Sequence, residues 1–294
     1  MKDQLVKSLV LEGRVRVHLV STTNLVQEAR DRFDLYPTAC AALGRTLSVG
    51  SIMGGMLKSD DEMLTITING HGPIGSIIVD AYAGGDVRGF VSNPHVDDVF
   101  AGPGKLNVGA VVGTDGTLTV TKDLNMAENF TGTVELQSGE IGDDFAYYFT
   151  LSEQTPTAVS VGVLIGTDGN VESAGAMVLQ MLPDATDQDI SICEHVLAGL
   201  KPMSTLIKEY DDCGLEQLVQ DMFEDAKVLS SQDVHFHCPC SKERTEKVLL
   251  TLPKEDIQQL IDREEACEVT CNFCNERYTF SKDELKAILE KLNA

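Results

Sequence analysis

The alternation of apolar and polar residues predicts most of the strands in the N-terminal part of the chain. Residues 14–20, 64–68 and 117–121 carry apolar side chains at every second position, which is typical of a strand with one buried face. Gly-rich turns separate further candidate strands at 74–82, 107–112, 131–137, 157–165 and 173–182. Thr114-Asp115-Gly116 and Thr167-Asp168-Gly169 have the composition of hairpin turns.

Apolar residues at helical spacing predict helices between and after these strands. The expected helices are at 23–32, 37–58, 140–152, 186–200, 214–226 and 254–264. The second is rich in Ala and Gly, which allows another element to approach its backbone closely. A last helix is expected after Ser281, because Ser281 and Glu284 have the spacing of a capping box. Strand runs with helices set apart indicate an α+β fold rather than a regular βαβ repeat.

Shifts in composition divide the chain into three parts. Residues 1–183 are expected to form a large core domain of mixed sheet and helix, 184–231 a helical linker, and 232–294 a small C-terminal domain. The linker is acidic, because residues 184–225 contain eleven Asp and Glu residues but only two Lys. This acidity has two interpretations: a solvated helical surface, or a marginally stable segment that loses structure easily.

The composition is that of a folded globular protein and disfavours several classes of partner. Of the 294 residues, 43% are hydrophobic, and the net charge is −23. That charge disfavours nucleic-acid binding, since such proteins neutralise phosphates with basic patches. No apolar run is long enough for a membrane span, and the first residues do not resemble a signal peptide. A cytoplasmic protein is expected, in which eight cysteines favour metal or redox chemistry over structural disulfides.

Four cysteines near the C-terminus have the spacing of a zinc site. Cys238 and Cys240 form a C-x-C pair, and Cys271 and Cys274 form a C-x-x-C pair after a gap of thirty residues. Each pair can supply one edge of a tetrahedron, so the chain is expected to bind one Zn²⁺ through four thiolates. The C-terminal domain has few large apolar side chains and is expected to need the metal in order to fold.

Basic residues beside the first pair leave the ligand set open. His235 and His237 precede Cys238, and either could replace a thiol as ligand. Alternatively, these histidines act with Lys242 and Arg244 to offset part of the negative charge of a four-thiolate zinc site.

The other cysteines have weaker assignments. Cys267 lies four residues before Cys271, where it could exchange with a ligand, resolve a sulfenic acid, or act as a spectator. Three isolated cysteines are expected to be small buried apolar residues: Cys40, Cys193 and Cys213.

The four clustered thiols are also candidates for a redox switch. Zinc holds cysteines as thiolates, which are the reactive form. Each pair is close enough along the chain for an internal disulfide, because residues i and i+2 are at most ~7 Å apart. Oxidation of either pair removes two ligands and releases the metal. Structural zinc contributes on the order of 10–16 kcal/mol to the folding free energy of a small domain. An oxidant would thereby unfold the domain.

Other motifs do not support a catalytic or nucleotide-binding function. Gly70-His71-Gly72-Pro73-Ile74-Gly75 matches G-x-G-x-x-G, but a strand-like run follows it where a dinucleotide site needs a helix. A hairpin connection is therefore expected there. Four histidines are scattered along the chain without a partner for nucleophilic catalysis: His18, His71, His95 and His195. The chain is expected to be no enzyme and to bind no nucleotide.

Segments in both parts of the chain are distinctive. In the C-terminal part they are Cys238-Pro239-Cys240-Ser241-Lys242-Glu243-Arg244 and Val269-Thr270-Cys271-Asn272-Phe273-Cys274. In the N-terminal part they are 42–45, 138–149, 152–156 and 178–183. Through these segments the chain resembles the heat shock protein 33 family, redox-regulated molecular chaperones of the bacterial cytosol. The resemblance extends over essentially the whole chain, in the order that the family has.

This resemblance implies a holdase that binds unfolding client proteins without ATP. In the reduced state Cys238, Cys240, Cys271 and Cys274 would bind zinc, and the chaperone would be inactive. Under oxidative stress, disulfides would form between Cys238 and Cys240 and between Cys271 and Cys274. The zinc domain and the adjacent linker, which falls at the acidic stretch, would then lose structure and expose apolar surface. Cys267 is not part of the family's four-cysteine pattern.

The expected partners are therefore unfolded or partly folded client proteins and, after activation, a second copy of the chain. Nucleic acid, membrane and nucleotide are not expected as partners. Two alternative functions follow from the zinc site alone. A thiol oxidoreductase would use the C-x-x-C pair, although no active-site base accompanies it. A zinc-ribbon module for RNA or ribosomes would need a local basic face, which the charge of −23 disfavours.

Overall fold

The fold was derived from a computed structural model, which describes residues 2–102, 104–263 and 266–293. Chain contacts divide the molecule into an N-terminal unit, Met1–His237, and a C-terminal unit, Cys238–Ala294. Both units mix helices with antiparallel sheets, so the predicted α+β class is confirmed. The predicted functional division at 183 and 231 stays a prediction.

The N-terminal unit contains most of the secondary structure. Its strands are β1 (Gln4–Val10), β2 (Val15–Ser21), β3 (Met63–Asn69), β4 (Ser76–Tyr82), β5 (Val87–Val91), β6 (Phe100–Gly102), β7 (Lys105–Leu106), β8 (Thr117–Asp123), β9 (Phe130–Glu135), β10 (Thr157–Ile165), β11 (Val171–Met181) and β12 (Lys227–Asp233). Its helices are α1 (Thr23–Phe33), α2 (Pro37–Gly55), α3 (Val108–Val112), α4 (Gly142–Leu151), α5 (Asp187–Gly199), α6 (Met203–Glu209) and α7 (Leu215–Met222).

Helix α2 is the centre of this unit and contacts both of its large sheets. One sheet has the strand order β10-β11-β2-β1-β12, and the other has the order β5-β4-β3-β8-β9. The helix is buried at nearly every position and packs against β10 and β11 on one side and β4 and β5 on the other. Its small residues permit this packing: a Cβ atom on Gly54 would lie 2.4 Å from the Tyr82 carbonyl oxygen. The predicted close approach is confirmed.

Most predicted elements of this unit are confirmed, and two are wrong. The segment from Gly70 to Gly75 joins the antiparallel strands β3 and β4, as a hairpin connection should. The predicted strand 107–112 is instead the short helix α3, because the Asn107 side chain caps it by accepting the Ala110 N–H at 3.0 Å. As a result, Thr114-Asp115-Gly116 leads from α3 into β8 and is not a hairpin turn.

The acidic segment packs its apolar side against the first sheet. The predicted helices at 186–200 and 214–226 are α5 and α7, whereas α6 between them was not predicted. Ten of the eleven acids are exposed, as a solvated surface requires. The apolar residues of the segment form one buried cluster with Val6, Val17 and Leu19 of the sheet. After α7 the chain returns to the sheet as β12, which pairs with β1 and spans the predicted boundary at 231.

Asp189, the one buried acid of this segment, ties α5 to the loop between β1 and β2. Its carboxylate accepts hydrogen bonds from Arg14 Nε at 2.8 Å and Arg14 Nη2 at 3.0 Å. The same carboxylate accepts from the N–H and hydroxyl of Thr186, at 2.8 and 2.7 Å, and so caps the helix. Hydrogen bonds from Arg14, and then those from Thr186, hold the pKa of Asp189 well below its usual range.

The substitution D189A is therefore expected to loosen α5 at neutral pH. A carboxylate whose pKa is lower in the folded chain stabilises the fold above its unfolded pKa of about 3.9, and the effect is lost in stronger acid. Amide exchange across 187–199 should be faster in D189A than in the wild type at neutral pH, with the two converging in strong acid. D187A, which removes an exposed acid of the same turn, should exchange like the wild type. Equal rates in D189A and the wild type would contradict this account.

The C-terminal unit is a small α+β fold of its own. Its elements are α8 (Lys242–Leu249), α9 (Lys254–Asp262), the antiparallel pair β13 (Cys267–Thr270) and β14 (Arg277–Phe280), and α10 (Lys282–Asn293). The predicted helix 254–264 is α9, with residue 264 lying outside the described residues. The predicted capping box is confirmed, because Ser281 N–H donates to Glu284 Oε2 at 2.8 Å and Glu284 N–H to Ser281 Oγ at 3.3 Å.

Few side chains build the apolar core of this unit. The buried members are Leu249, Ile257, Ile261, Cys267, Phe280, Leu285 and Ile288. Fully burying one aliphatic or aromatic side chain contributes about 1.5–3 kcal/mol, whereas ordering each residue costs about 1–2 kcal/mol. A core of this size leaves a small domain dependent on a further source of stability.

Candidate metal centre

The fold of the C-terminal unit brings the four predicted thiols together. The Sγ atoms of Cys238, Cys240, Cys271 and Cys274 all lie within 4.8 Å of one another. The Cys238 and Cys271 sulfurs are 3.8 Å apart, and those of Cys240 and Cys274 are 3.3 Å apart. Tetrahedral coordination with metal–sulfur bonds of about 2.3 Å places sulfurs roughly 3.8 Å from one another. The four thiols therefore fit a single metal ion.

The first pair of thiols lies in a short loop held by the start of α8. Ser241 is the N-cap of this helix, and its hydroxyl accepts the Arg244 N–H at 3.2 Å. The Arg244 guanidinium donates to the Pro239 carbonyl at 2.8 Å, between the two cysteines. This basic residue thus holds the C-x-C backbone in place, where the sequence had suggested only an effect on charge.

The second pair lies in the turn between β13 and β14. Cys271 N–H donates to the Glu276 carbonyl at 2.8 Å, and Asn275 N–H donates to the Cys271 carbonyl at 2.8 Å. Asn275 adopts a left-handed backbone conformation with φ of 59°, which Asn tolerates better than most residues. The turn folds back on itself and places Cys271 and Cys274 beside the C-x-C loop.

The electrostatics of this cluster favour a bound cation. Burial raises the pKa of the Cys271 and Cys274 thiols above the usual range of cysteine. Four sulfurs in such a space cannot all ionise without a positive charge among them. A bound metal ion supplies that charge and holds the sulfurs as thiolates.

Tyr278 belongs to this site, although the sequence did not reveal it. Its hydroxyl donates a hydrogen bond to Cys240 Sγ at 3.1 Å. Tyr278 lies in β14, four residues after Cys274, and only the pairing of β13 with β14 brings it over the ligand. A hydrogen bond of this kind orients a metal ligand and stabilises the charge on its sulfur.

The substitution Y278F is expected to weaken metal binding without unfolding the protein. Loss of a hydrogen bond to a ligand costs roughly 10-fold or more in metal affinity. Competition with a chromophoric chelator measures the affinity of the reduced protein. Y147F, which removes the hydroxyl of an exposed tyrosine of α4, is the matched control and should bind metal like the wild type. A Y278F affinity equal to that of the wild type would show that the hydroxyl does not act on the ligand.

The other residues considered for the metal site lie outside the thiol cluster. Cys267 is buried in the apolar core of the C-terminal unit, and it is not among the clustered thiols of the described residues. Neither His235 nor His237 is in that cluster, and His235 Nδ1 lies 3.2 Å from Asp86. Lys242 pairs with Glu284 at 2.6 Å. An auxiliary role of Cys267 stays a prediction.

The isolated cysteines differ in their exposure. Cys40 and Cys193 are buried, as expected, and burial raises the pKa of the Cys40 thiol to about 12. The expectation is wrong for Cys213, which is exposed in the turn between α6 and α7. The predicted burial fails there because a lone cysteine shows no pattern that places it on either side of a helix.

Comparison with known proteins assigns the chain to a family. The family model described as Hsp33 protein matches residues 3–281. The chain belongs to the Hsp33 family. Two 33 kDa chaperonins, from Bacillus cytotoxicus and Bacillus cereus strain AH187, are 49% and 50% identical to it over 99% of this chain and 100% of theirs. The crystal structure of the 33 kDa chaperonin (heat shock protein 33 homolog) of Thermotoga maritima matches with a TM-score of 0.90 and 30% identity, over 100% of both chains.

The Hsp33 family is a family of chaperones, so the chaperone class that the sequence implied is confirmed. The relatives carry the names of chaperones, which agrees with the expectation that the chain is not an enzyme. Within the part of the chain that the structure describes, no helix has the length and apolar character needed to cross a membrane.

Proposed function

We propose that this protein is a redox-regulated, ATP-independent holdase that protects unfolding proteins in the bacterial cytoplasm during oxidative stress. The observation that carries the proposal is the convergence of four thiols, within 4.8 Å of one another, in a unit with a small apolar core. Cys238, Cys240, Cys271 and Cys274 would hold one Zn²⁺ in the reduced state. The bound ion would cross-link the C-x-C loop to the β13–β14 turn and keep the unit folded.

Oxidation of the thiols is the signal in this proposal. Each disulfide forms when two thiols lose two protons and two electrons, and one peroxide molecule accepts them to give two water molecules. The family resemblance implies the pairs Cys238–Cys240 and Cys271–Cys274. In the unfolded unit, loop-closure entropy also favours these local pairs over pairs more than thirty residues apart, so the local disulfides persist once they have formed.

The acidic segment is the element that responds to unfolding of the C-terminal unit. Helices α5 to α7 cover an apolar face of the first sheet with residues such as Met203, Leu206 and Leu218. The ten exposed acids repel one another, which lowers the cost of detaching the segment. Detachment would expose apolar side chains on both the segment and the sheet, and these surfaces would bind clients and a second copy of the chain.

Light scattering of a thermally unfolding client tests the proposal. The reduced, zinc-loaded protein should leave aggregation unchanged, whereas protein treated with peroxide at elevated temperature should suppress it. Addition of a reductant before the client should remove the suppression. Failure of both forms to suppress aggregation would refute the holdase function, and insulin reduction at a catalytic rate would indicate a thiol oxidoreductase instead.

A further inference from the structure

A cavity of about 660 Å³ lies in the N-terminal unit, beside the connection from β11 into α5. The C-terminal end of α2, strands β2 and β11 and the residues after α4 form its walls. Its volume falls within the range of about 300–1,000 Å³ that small-molecule sites occupy. None of its lining residues belongs to the thiol cluster or to the redox chemistry proposed above.

Gln180 presents its side-chain amide to this cavity. Its side chain lines the cavity, and the residue is only 6% exposed. Its amide makes no hydrogen bond to any residue that the structure describes. The amide atoms are not among the buried polar atoms that lack a partner, so they keep contact with the cavity and can exchange hydrogen bonds with a molecule bound there.

Arg16 adds an uncompensated positive charge next to this amide. It lies directly opposite Gln180 in the pairing of β2 with β11, so both side chains project from the same face of the sheet. The other charged residues of the lining are Lys122 and Glu153, which neutralise each other at 2.6 Å. Arg16 has no hydrogen bond or ion pair within the described parts of the chain.

The groups around Arg16 provide no anion either. His18, two residues along β2, is 2% exposed, and burial, followed by the charges of Arg16 and Lys7, lowers its pKa to about 3. Lys7 donates to the Gly55 carbonyl. The rest of the wall includes the apolar side chains of Met53, Met56 and Phe149. The cavity thus combines the Arg16 guanidinium with an apolar wall and with neutral polar side chains, which are Gln154, Thr155 and Gln180.

We propose that this cavity binds an organic monoanion with an apolar body, of the class of medium-chain carboxylic acids. The carboxylate accepts hydrogen bonds from the Arg16 guanidinium and the Gln180 amide N–H, and the alkyl chain lies against the methionines of α2. One ligand charge balances the one uncompensated cation. A second negative charge would meet Glu153 of the Lys122 pair and be disfavoured.

Octanoate and 1-octanol separate the contribution of charge from that of the apolar body. We expect octanoate to bind the reduced, zinc-loaded, full-length protein with one site per chain and to shift the side-chain NMR signals of Arg16 Nε–Hε and Gln180 NH₂. Octanol should bind about ten-fold or more weakly, because a charged hydrogen bond is lost. R16Q should weaken octanoate binding by a similar factor and leave octanol binding unchanged.

R30Q is the matched control, because Arg30 pairs with Asp31 on α1 and does not line the cavity. It should bind octanoate like the wild type. If R16Q does not fold, Q180L and the octanoate-to-octanol ratio of the wild type decide the question. Three results would each overturn the proposal. The first is that wild-type protein binds octanoate and octanol equally well. The second is that R16Q or Q180L binds octanoate as tightly as the wild type, and the third is that octanoate causes no saturable shift at Gln180.

Discussion

Replacement of Cys240 by serine is expected to unfold the C-terminal unit while helix α2 and strand β3 of the N-terminal unit stay folded. The Cys240 sulfur lies 3.3 Å from that of Cys274 and accepts the Tyr278 hydroxyl, so its loss removes one ligand and one hydrogen bond. A serine hydroxyl does not ionise near neutral pH and is a poor metal ligand. Because structural zinc contributes on the order of 10–16 kcal/mol in small domains, the core of the unit cannot compensate.

Zinc content after dialysis against a chelator and amide exchange across 242–293 measure this effect. C240S should lose the metal and its exchange protection in this range, with protection of α2 and β3 unchanged. C213S, which replaces the exposed cysteine of the N-terminal unit, should keep both. The metal assignment fails if C240S retains zinc at the chelator concentration that the wild type withstands.

The second large effect is expected for D144A in the N-terminal unit. The fully buried Asp144 carboxylate accepts the backbone N–H groups of Gln137, Ser138 and Ile141, at 2.7, 3.0 and 2.9 Å. It thereby caps α4 and holds Ile141 in a left-handed conformation with φ of 75°, which β-branched residues rarely adopt. Removal of the carboxylate leaves several buried donors without a partner, so D144A should lose about 4 kcal/mol of unfolding free energy or more.

Urea unfolding of the reduced, zinc-loaded protein, followed by circular dichroism, measures this loss. D143A is the matched control, because Asp143 precedes Asp144 in α4 and is exposed, with a single hydrogen bond to the Ser138 hydroxyl. It should change stability by less than about 1 kcal/mol. D144N, which keeps an oxygen acceptor without the charge, should fall between the two. A D144A midpoint equal to that of D143A would contradict the role of the carboxylate.

The cluster of four thiols was largely predictable from the sequence because its signal is local. Two cysteines two or three positions apart can form one edge of a tetrahedron in almost any fold, so the spacing alone indicated four candidate ligands. Tyr278 shows the limit of that signal. A tyrosine in an alternating strand is ordinary in sequence, and only the β13–β14 pairing brings its hydroxyl to the Cys240 sulfur.

The errors in the fold share one cause. The residues after Asn107 form a short apolar run that suits a buried strand as well as a helix. The hydrogen bond from the Ala110 N–H to the Asn107 side chain stabilises the helix. Helix α6 is short and lies between better signals, so periodicity did not detect it. In each case a single side-chain contact or a tertiary surface outweighed the local pattern.

The sequence by itself determined the α+β class, most of the elements, the four thiols and the resemblance to a chaperone family. These features depend on periodicity or on spacings of a few residues, which survive in any arrangement of the chain. Only the tertiary structure decided the burial of α2 between two sheets, the contact of Arg14 with Asp189 across 175 positions, and the meeting of Arg16 with Gln180 in one cavity. Such contacts join residues far apart in the chain, and the burial of apolar surface by the whole fold selects them.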